Sequence, residues 1–269
     1  MIKLKRHGSY LKTDENNFVI PVANKNLLQK EWTPLINEVV DHYKNIFQSN
    51  LISVYIRGSV AKGEAVPHIS DLDSFCLITK KMNLDETTIK NINNQLVKKF
   101  PFCTHIEFIS IIKENVFKGF PPRKRGVWAE LIKTQSVCVY GSDMSAELEP
   151  FLLSDMIGHA YYLERDLDKL KGFFEEDKDN SKAIKETCVW ITRRIIRSGF
   201  DLVIMKEEKF TRDLYLCFES FSKYYPEKIN KMKNILNLSL NPVSDVREIN
   251  HFLDEICPWL ISEIKTKLK

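Results

Sequence analysis

Strand-forming runs stop near Pro150. Before it, apolar stretches rich in Ile, Val, Phe and Tyr are interleaved with helical spacings; after it, apolar residues recur only at the spacing of a helix. A pattern that changes once from mixed to helical describes two units of different class. We therefore place a boundary within residues 148–153 and expect an α+β fold: a domain over 1–150 with a mixed β-sheet, then an all-helical bundle over 151–269. The spacing predicts strands over 51–57, 72–79, 104–112 and 136–140. It also predicts a short strand pair over 9–20 around the turn Thr13 to Asn17, a long first helix carrying Leu27, Trp32, Val39, Tyr43 and Phe47, and a helix over 84–99 opened by Asn83. After Pro121-Pro122 a further helix holds Trp128, Leu131 and Ile132. Beyond Pro150, helices are expected over 154–172, 182–206, 212–223, 227–239 and 245–267, with no strand.

The chemistry concentrates between Val54 and Leu77. An apolar strand ends in Arg57-Gly58-Ser59, eleven residues follow, and a second apolar strand opens with Asp71-Leu72-Asp73. Side chains two apart on a strand share a face, so Asp71 and Asp73 can converge on one cation. Carboxylates are the hard ligands that Mg2+ prefers, and Mg2+ completes its shell with substrate phosphates. Glycine lets a phosphate approach the backbone without a Cβ in the way, and the Ser59 hydroxyl and turn N–H groups are donors to it.

The Gly-Ser turn, the gap length and the Asp-x-Asp pair together resemble the DNA polymerase β-like nucleotidyltransferases. Followed by a helical bundle, they resemble the aminoglycoside adenylyltransferases in particular. The resemblance covers residues 50–140 by motif and the remainder by helical character. It implies a third carboxylate from a later strand, and Glu107, the single acid in Thr104 to Ile112, is the residue in that position; Glu114 and Glu130 are its reserves. It further implies Asp71, Asp73 and Glu107 as catalytic and metal-holding residues for two Mg2+ ions, and Glu107 as the base toward an acceptor hydroxyl. ATP is the implied donor, bound through Gly58, Ser59 and Lys133, with AMP passed to a hydroxyl of a small molecule such as an antibiotic and pyrophosphate released. Two other readings stay open: transfer to a protein or a tRNA end, as in toxin-like members, and a non-catalytic nucleotide-binding or antitoxin-like module.

Charge narrows the partners. Residues 1–150 hold 20 Lys and Arg against 16 Asp and Glu, while the rest hold 20 of each, so the excess of +4 sits in the first part. That suits a polyphosphate but is too diffuse to call for nucleic acid. Arg57, Lys62, Arg123, Lys124, Arg125 and Lys133 are the cations nearest the motif. In the helical part, the acids Glu175, Glu176, Asp177 and Asp179 suit a cationic acceptor, and Trp190, Arg193, Arg194 and Arg197 share one helix. Arg247 and His251 are too closely spaced for a ribonuclease pair, and His105 and His159 read as packing or surface residues. Six scattered cysteines without a Cys-x-x-Cys pair predict neither zinc nor disulfides. The opening residues carry no apolar signal stretch and no membrane-length run exists, which reads as a cytoplasmic protein.

Overall fold

The protein, a computed structural model, is described over residues 8–82, 85–119, 123, 125–176 and 179–268. Asn83, Pro121-Pro122, Lys124 and Asp177, all named above, lie outside the described residues, as do the opening seven. In chain order the elements are β1 (Leu11–Lys12), α1 (Thr33–Phe47), β2 (Leu51–Arg57), α2 (Gly58–Ala61), β3 (Leu72–Ile78), α3 (Glu86–Lys99), β4 (Ile106–Ile112), α4 (Lys113–Val116), α5 (Val127–Thr134) and β5 (Ser136–Gly141). Then follow α6 (His159–Glu176), α7 (Ser181–Asp201), α8 (Ile204–Glu207), β6 (Lys209–Phe210), α9 (Leu214–Tyr224), α10 (Ile229–Leu240) and α11 (Val246–Lys267). The fold class is α+β.

Two compact units emerge among the described residues: Ile20–Phe151, and a second that joins residues 8–19 with those from Leu152 onward. The first contains a four-stranded sheet in the order β4-β3-β2-β5, with β3 and β4 parallel and the other neighbours antiparallel. A parallel pair needs a crossover, which α3 supplies. Asp85 caps α3 by accepting from the backbone N–H groups of Thr87 and Thr88, the role expected of Asn83. On one face of the sheet, α1 and α3 bury Leu35, Val39, Tyr43, Ile92 and Leu96 against Val54, Ile56, Cys76 and Ile106. The other face carries the stacked pair Tyr55 and Phe75, with Trp128 of α5 against Phe75.

Helix α1 starts at Thr33 rather than near Leu27, because Pro34 favours the first turn of a helix and Leu27 lies in a preceding 3-10 turn. Its buried Tyr43 clamps the sheet: the hydroxyl lies 3.0 Å from Ser74 Oγ and accepts from the Ile109 N–H at 3.2 Å. Ser74 Oγ in turn donates to the Glu107 carbonyl, so the clamp fixes β3 and β4 where Asp73 and Glu107 stand. Tyr43→Phe is expected to lower the unfolding free energy by about 1 kcal/mol in urea titrations. An unchanged midpoint and slope would mean that this hydroxyl contributes nothing to joining the strands.

The second unit is helical, with one correction. The strand pair expected within 9–20 is reduced to an isolated antiparallel bridge between Thr13 and Val19, and a long-range pair joins it: Leu11 pairs with Phe210 and Lys12 with Lys209, antiparallel. Glu208, at φ 52°, ends α8 in the left-handed region, and Lys209–Phe210 leave it extended, adding a strand where only helix was expected. The turn after Thr13 is closed locally by the Asp14 carboxylate, which accepts from the N–H groups of Asn16 and Phe18. Residues 8–19 therefore belong with the helices, and the sheet-bearing unit begins at Ile20 rather than at residue 1. Within the bundle, buried Asp201 at the end of α7 accepts from the N–H groups of Gly158 and Ala160 and so caps α6. No described helix is long and apolar enough to cross a membrane, and all six cysteines are free thiols.

Candidate active site

The strand register builds one transverse row. Arg57 is opposite Asp73, Asp73 is beside Glu107, and on its other side Arg57 is opposite Ser136. Paired residues project to the same face, so the four side chains line up across all four strands, on the face opposite α1. Arg57 Nη2 is 3.2 Å from Asp73 Oδ1 and also bonds Glu107 Oε2 directly. Asp73 and Glu107 keep 22% and 32% of their side-chain surface exposed, enough to meet a ligand. Glu107 does not turn into the core.

Gly58 follows Arg57 with φ +72°, and a Cβ there would sit 2.2 Å from Asp73 Oδ2. The turn therefore lies against the carboxylate, and a side chain at 58 is excluded both by conformation and by space. Ser59 is half-buried in α2, a helix of only four residues whose dipole is correspondingly slight, so the donors this turn offers are its N–H groups and the Ser59 hydroxyl. Asp71, just before β3, is exposed. Its charge still reaches Asp73.

The Asp73 carboxyl is pushed up to about 6, chiefly by burial; Arg57 pulls it down, and the charges of Asp71 and Glu107 together with a Glu107 hydrogen bond raise it further. A carboxyl whose folded pKa lies above its unfolded 3.8 binds more protons in the native state between the two values. Its contribution to stability is thus fully present below pH 3.8 and lost as pH rises through about 6. In EDTA, the unfolding free energy of the wild type minus that of Asp73→Asn is expected to fall across this window. A flat difference would show that Asp73 titrates normally.

Among the described residues, no three His, Cys, Asp or Glu side chains stand as a ready metal cage; the Arg57 guanidinium lies between Asp73 and Glu107. The donor set nevertheless fits Mg2+: three hard carboxylates whose mutual repulsion a divalent ion relieves, open on one side for phosphate oxygens.

The other candidates fall into place by their bonds. Lys133 Nζ donates to the Ser145 carbonyl at 2.9 Å and, with Asn24, Lys25, Ser136 and Asp143, lines a hollow of 280 Å3. Through Ser136 that hollow adjoins the row. Lys62 is paired with Glu64 at 2.8 Å, and Arg125 donates to the Glu149 and Pro150 carbonyls beneath the Phe151 ring. Arg123 and Glu130 form a buried ion pair, which makes Glu130 structural rather than catalytic, and Glu114 is exposed on α4. His105 Nδ1 is 2.9 Å from the Asn93 amide nitrogen. In the sequence Arg57 stands only as a cation near the motif; its bond to both acids is not legible there, because the thirteen residues between Arg57 and Asp71 leave the hairpin register undetermined until it is folded.

No family model and no curated protein matches the chain. Among solved structures, the chain is similar to the spectinomycin adenyltransferase AAD(9) from Enterococcus faecialis, solved with ATP and spectinomycin. That match has 14% identity and a TM-score of 0.45 and covers 87% of this chain and 99% of that one. It is also similar to a structure of the tri-AMPylated Shewanella oneidensis HEPN toxin in complex with MNT antitoxin, at 14% identity and a TM-score of 0.27, covering 54% of this chain and 96% of that one. At these values neither likeness says what chemistry this chain performs.

Proposed function

We propose that the protein is a nucleotidyltransferase that moves a nucleoside monophosphate, AMP from ATP, to a hydroxyl of a small molecule and releases pyrophosphate. The observation that carries this reading is the row itself: Asp73 and Glu107 side by side on parallel strands, with the Gly58 turn pressed against Asp73. Asp71, Asp73 and Glu107 would hold Mg2+, which supplies neutralisation of charge on the triphosphate. Gly58 admits the phosphates to the turn, and the Ser59 hydroxyl donates to a phosphate oxygen. Lys133, on the hollow that reaches the row through Ser136, neutralises the far end of the triphosphate. Glu107 accepts the proton of the acceptor hydroxyl as its oxygen attacks the α-phosphorus; the bond from that phosphorus to the bridging oxygen breaks, and pyrophosphate leaves with the electron pair.

For the acceptor-binding role of the helical unit, the feature that supports it is a hollow of 490 Å3 lined by Arg165, Lys169 and Arg194, the acids Asp166 and Glu186, and the rings of Phe173 and Trp190. Arg194 lies over the Trp190 ring and bonds buried Asp166 at 2.7 Å. Two aromatic rings among charges of both signs favour a ring-bearing acceptor rich in hydroxyl groups. The test is incubation with α-labelled ATP, Mg2+ and a panel of hydroxylated small molecules, including aminoglycosides and spectinomycin-like compounds, beside tRNA and cell lysate. Label on a small molecule with matching pyrophosphate supports the proposal. Label confined to tRNA or protein replaces the acceptor class, and no pyrophosphate with any acceptor removes the enzyme reading.

A further inference from the structure

We propose that Arg57 is a built-in counter-cation that couples nucleotide binding to metal binding: in the free protein its guanidinium occupies Asp73 and Glu107, and an arriving triphosphate draws it off and frees both carboxylates for the ion. This rests on the nucleotidyltransferase reading and adds an order of events to it.

Three observations support the exchange. The guanidinium lies between the two acids, bonded to Glu107 and 3.2 Å from Asp73, which is the ground a divalent cation would need. Its Nε is buried and has no partner, so this resting position leaves part of the donor fork unused. The Ser136 Oγ, in the paired position on β5, is likewise buried and unbonded. Unpaired polar atoms of this kind are costly and mark a place where a ligand completes the bonding. A phosphate is the acceptor that matches a guanidinium fork in charge and in bidentate geometry.

Position makes the transfer short. Arg57 is the last residue of β2 and Gly58 the first of the turn, so a phosphate seated on that turn lies beside the arginine's own backbone. When the guanidinium moves to the triphosphate, Asp73 and Glu107 lose the positive charge between them and their attraction for a divalent ion rises. Metal without nucleotide must compete with Arg57; metal with nucleotide does not.

The test uses the full chain stripped with EDTA. Mn2+ binding without nucleotide is followed by the paramagnetic resonance of free Mn2+, and metal-free ATP binding by calorimetry in EDTA. Because one opposite charge beside a carboxylate changes its cation affinity by about one to three powers of ten, Arg57→Gln is expected to bind Mn2+ roughly tenfold tighter or more. The same variant is expected to bind metal-free ATP several-fold weaker. A residue that merely supports the fold would weaken both. Arg57→Lys keeps the charge without the fork, so Mn2+ affinity should stay near the wild type while ATP weakens; circular dichroism checks that each variant is folded. Wild type that binds both ligands, with Arg57→Gln moving the two affinities in the same direction or not at all, overturns the exchange alone. Neither ligand binding to any of the proteins overturns the exchange and the nucleotidyltransferase reading together.

Discussion

Asp73→Asn is expected to lower the rate of pyrophosphate release by about a thousandfold at saturating ATP, while the melting temperature of the metal-free protein at pH 7 equals or exceeds that of the wild type. The size follows from what the residue is asked to do. Loss of one carboxylate from a site that neutralises a triphosphate removes several kcal/mol of transition-state stabilisation, and each 1.36 kcal/mol is about a factor of ten. The stability result follows from the row. At neutral pH Asp73 is a buried acid crowded by Asp71 and Glu107, and Arg57 keeps its bond to Glu107 when Asp73 is changed. A variant that retained a tenth of the activity would mean that the reacting phosphate sits elsewhere. One that unfolded would mean that the row is a structural ion-pair network.

Gly58→Ala should damage both properties. At φ +72° an L side chain costs about 1–2 kcal/mol of stability, which urea titration can resolve. The added Cβ would also fall 2.2 Å from Asp73 Oδ2, so the carboxylate must swing away from its place beside Arg57 and Glu107. Displacing a reacting group by about 1 Å typically costs on the order of a hundredfold in rate. Loss of stability with full activity would show that the position of Asp73 is not set by the turn.

Much of this site was legible because it is local. The i and i+2 spacing of Asp71 and Asp73, the glycine before Ser59, and the isolation of Glu107 among apolar strand residues are all properties of short stretches, and the folded chain brings Gly58, Asp73 and Glu107 into contact range. What escaped was set by distant partners. The bridge from Arg57 to both acids depends on how a long hairpin closes, and Lys62, Arg123 and Arg125 are occupied by acids or carbonyls whose proximity no spacing announces. β1 and β6 are two residues each, too short for any periodicity, and their paired residues lie 197 and 199 positions apart.

That pairing also bears on how the molecule is made. Because residues 8–19 belong with Leu152 and beyond, the sheet-bearing unit is an insertion within the helical one. During synthesis from the N-terminus, Ile20–Phe151 is complete and can fold while Leu11 and Lys12 still lack Lys209 and Phe210. Residues 8–19 thus leave the ribosome before the sheet-bearing unit and settle only after it.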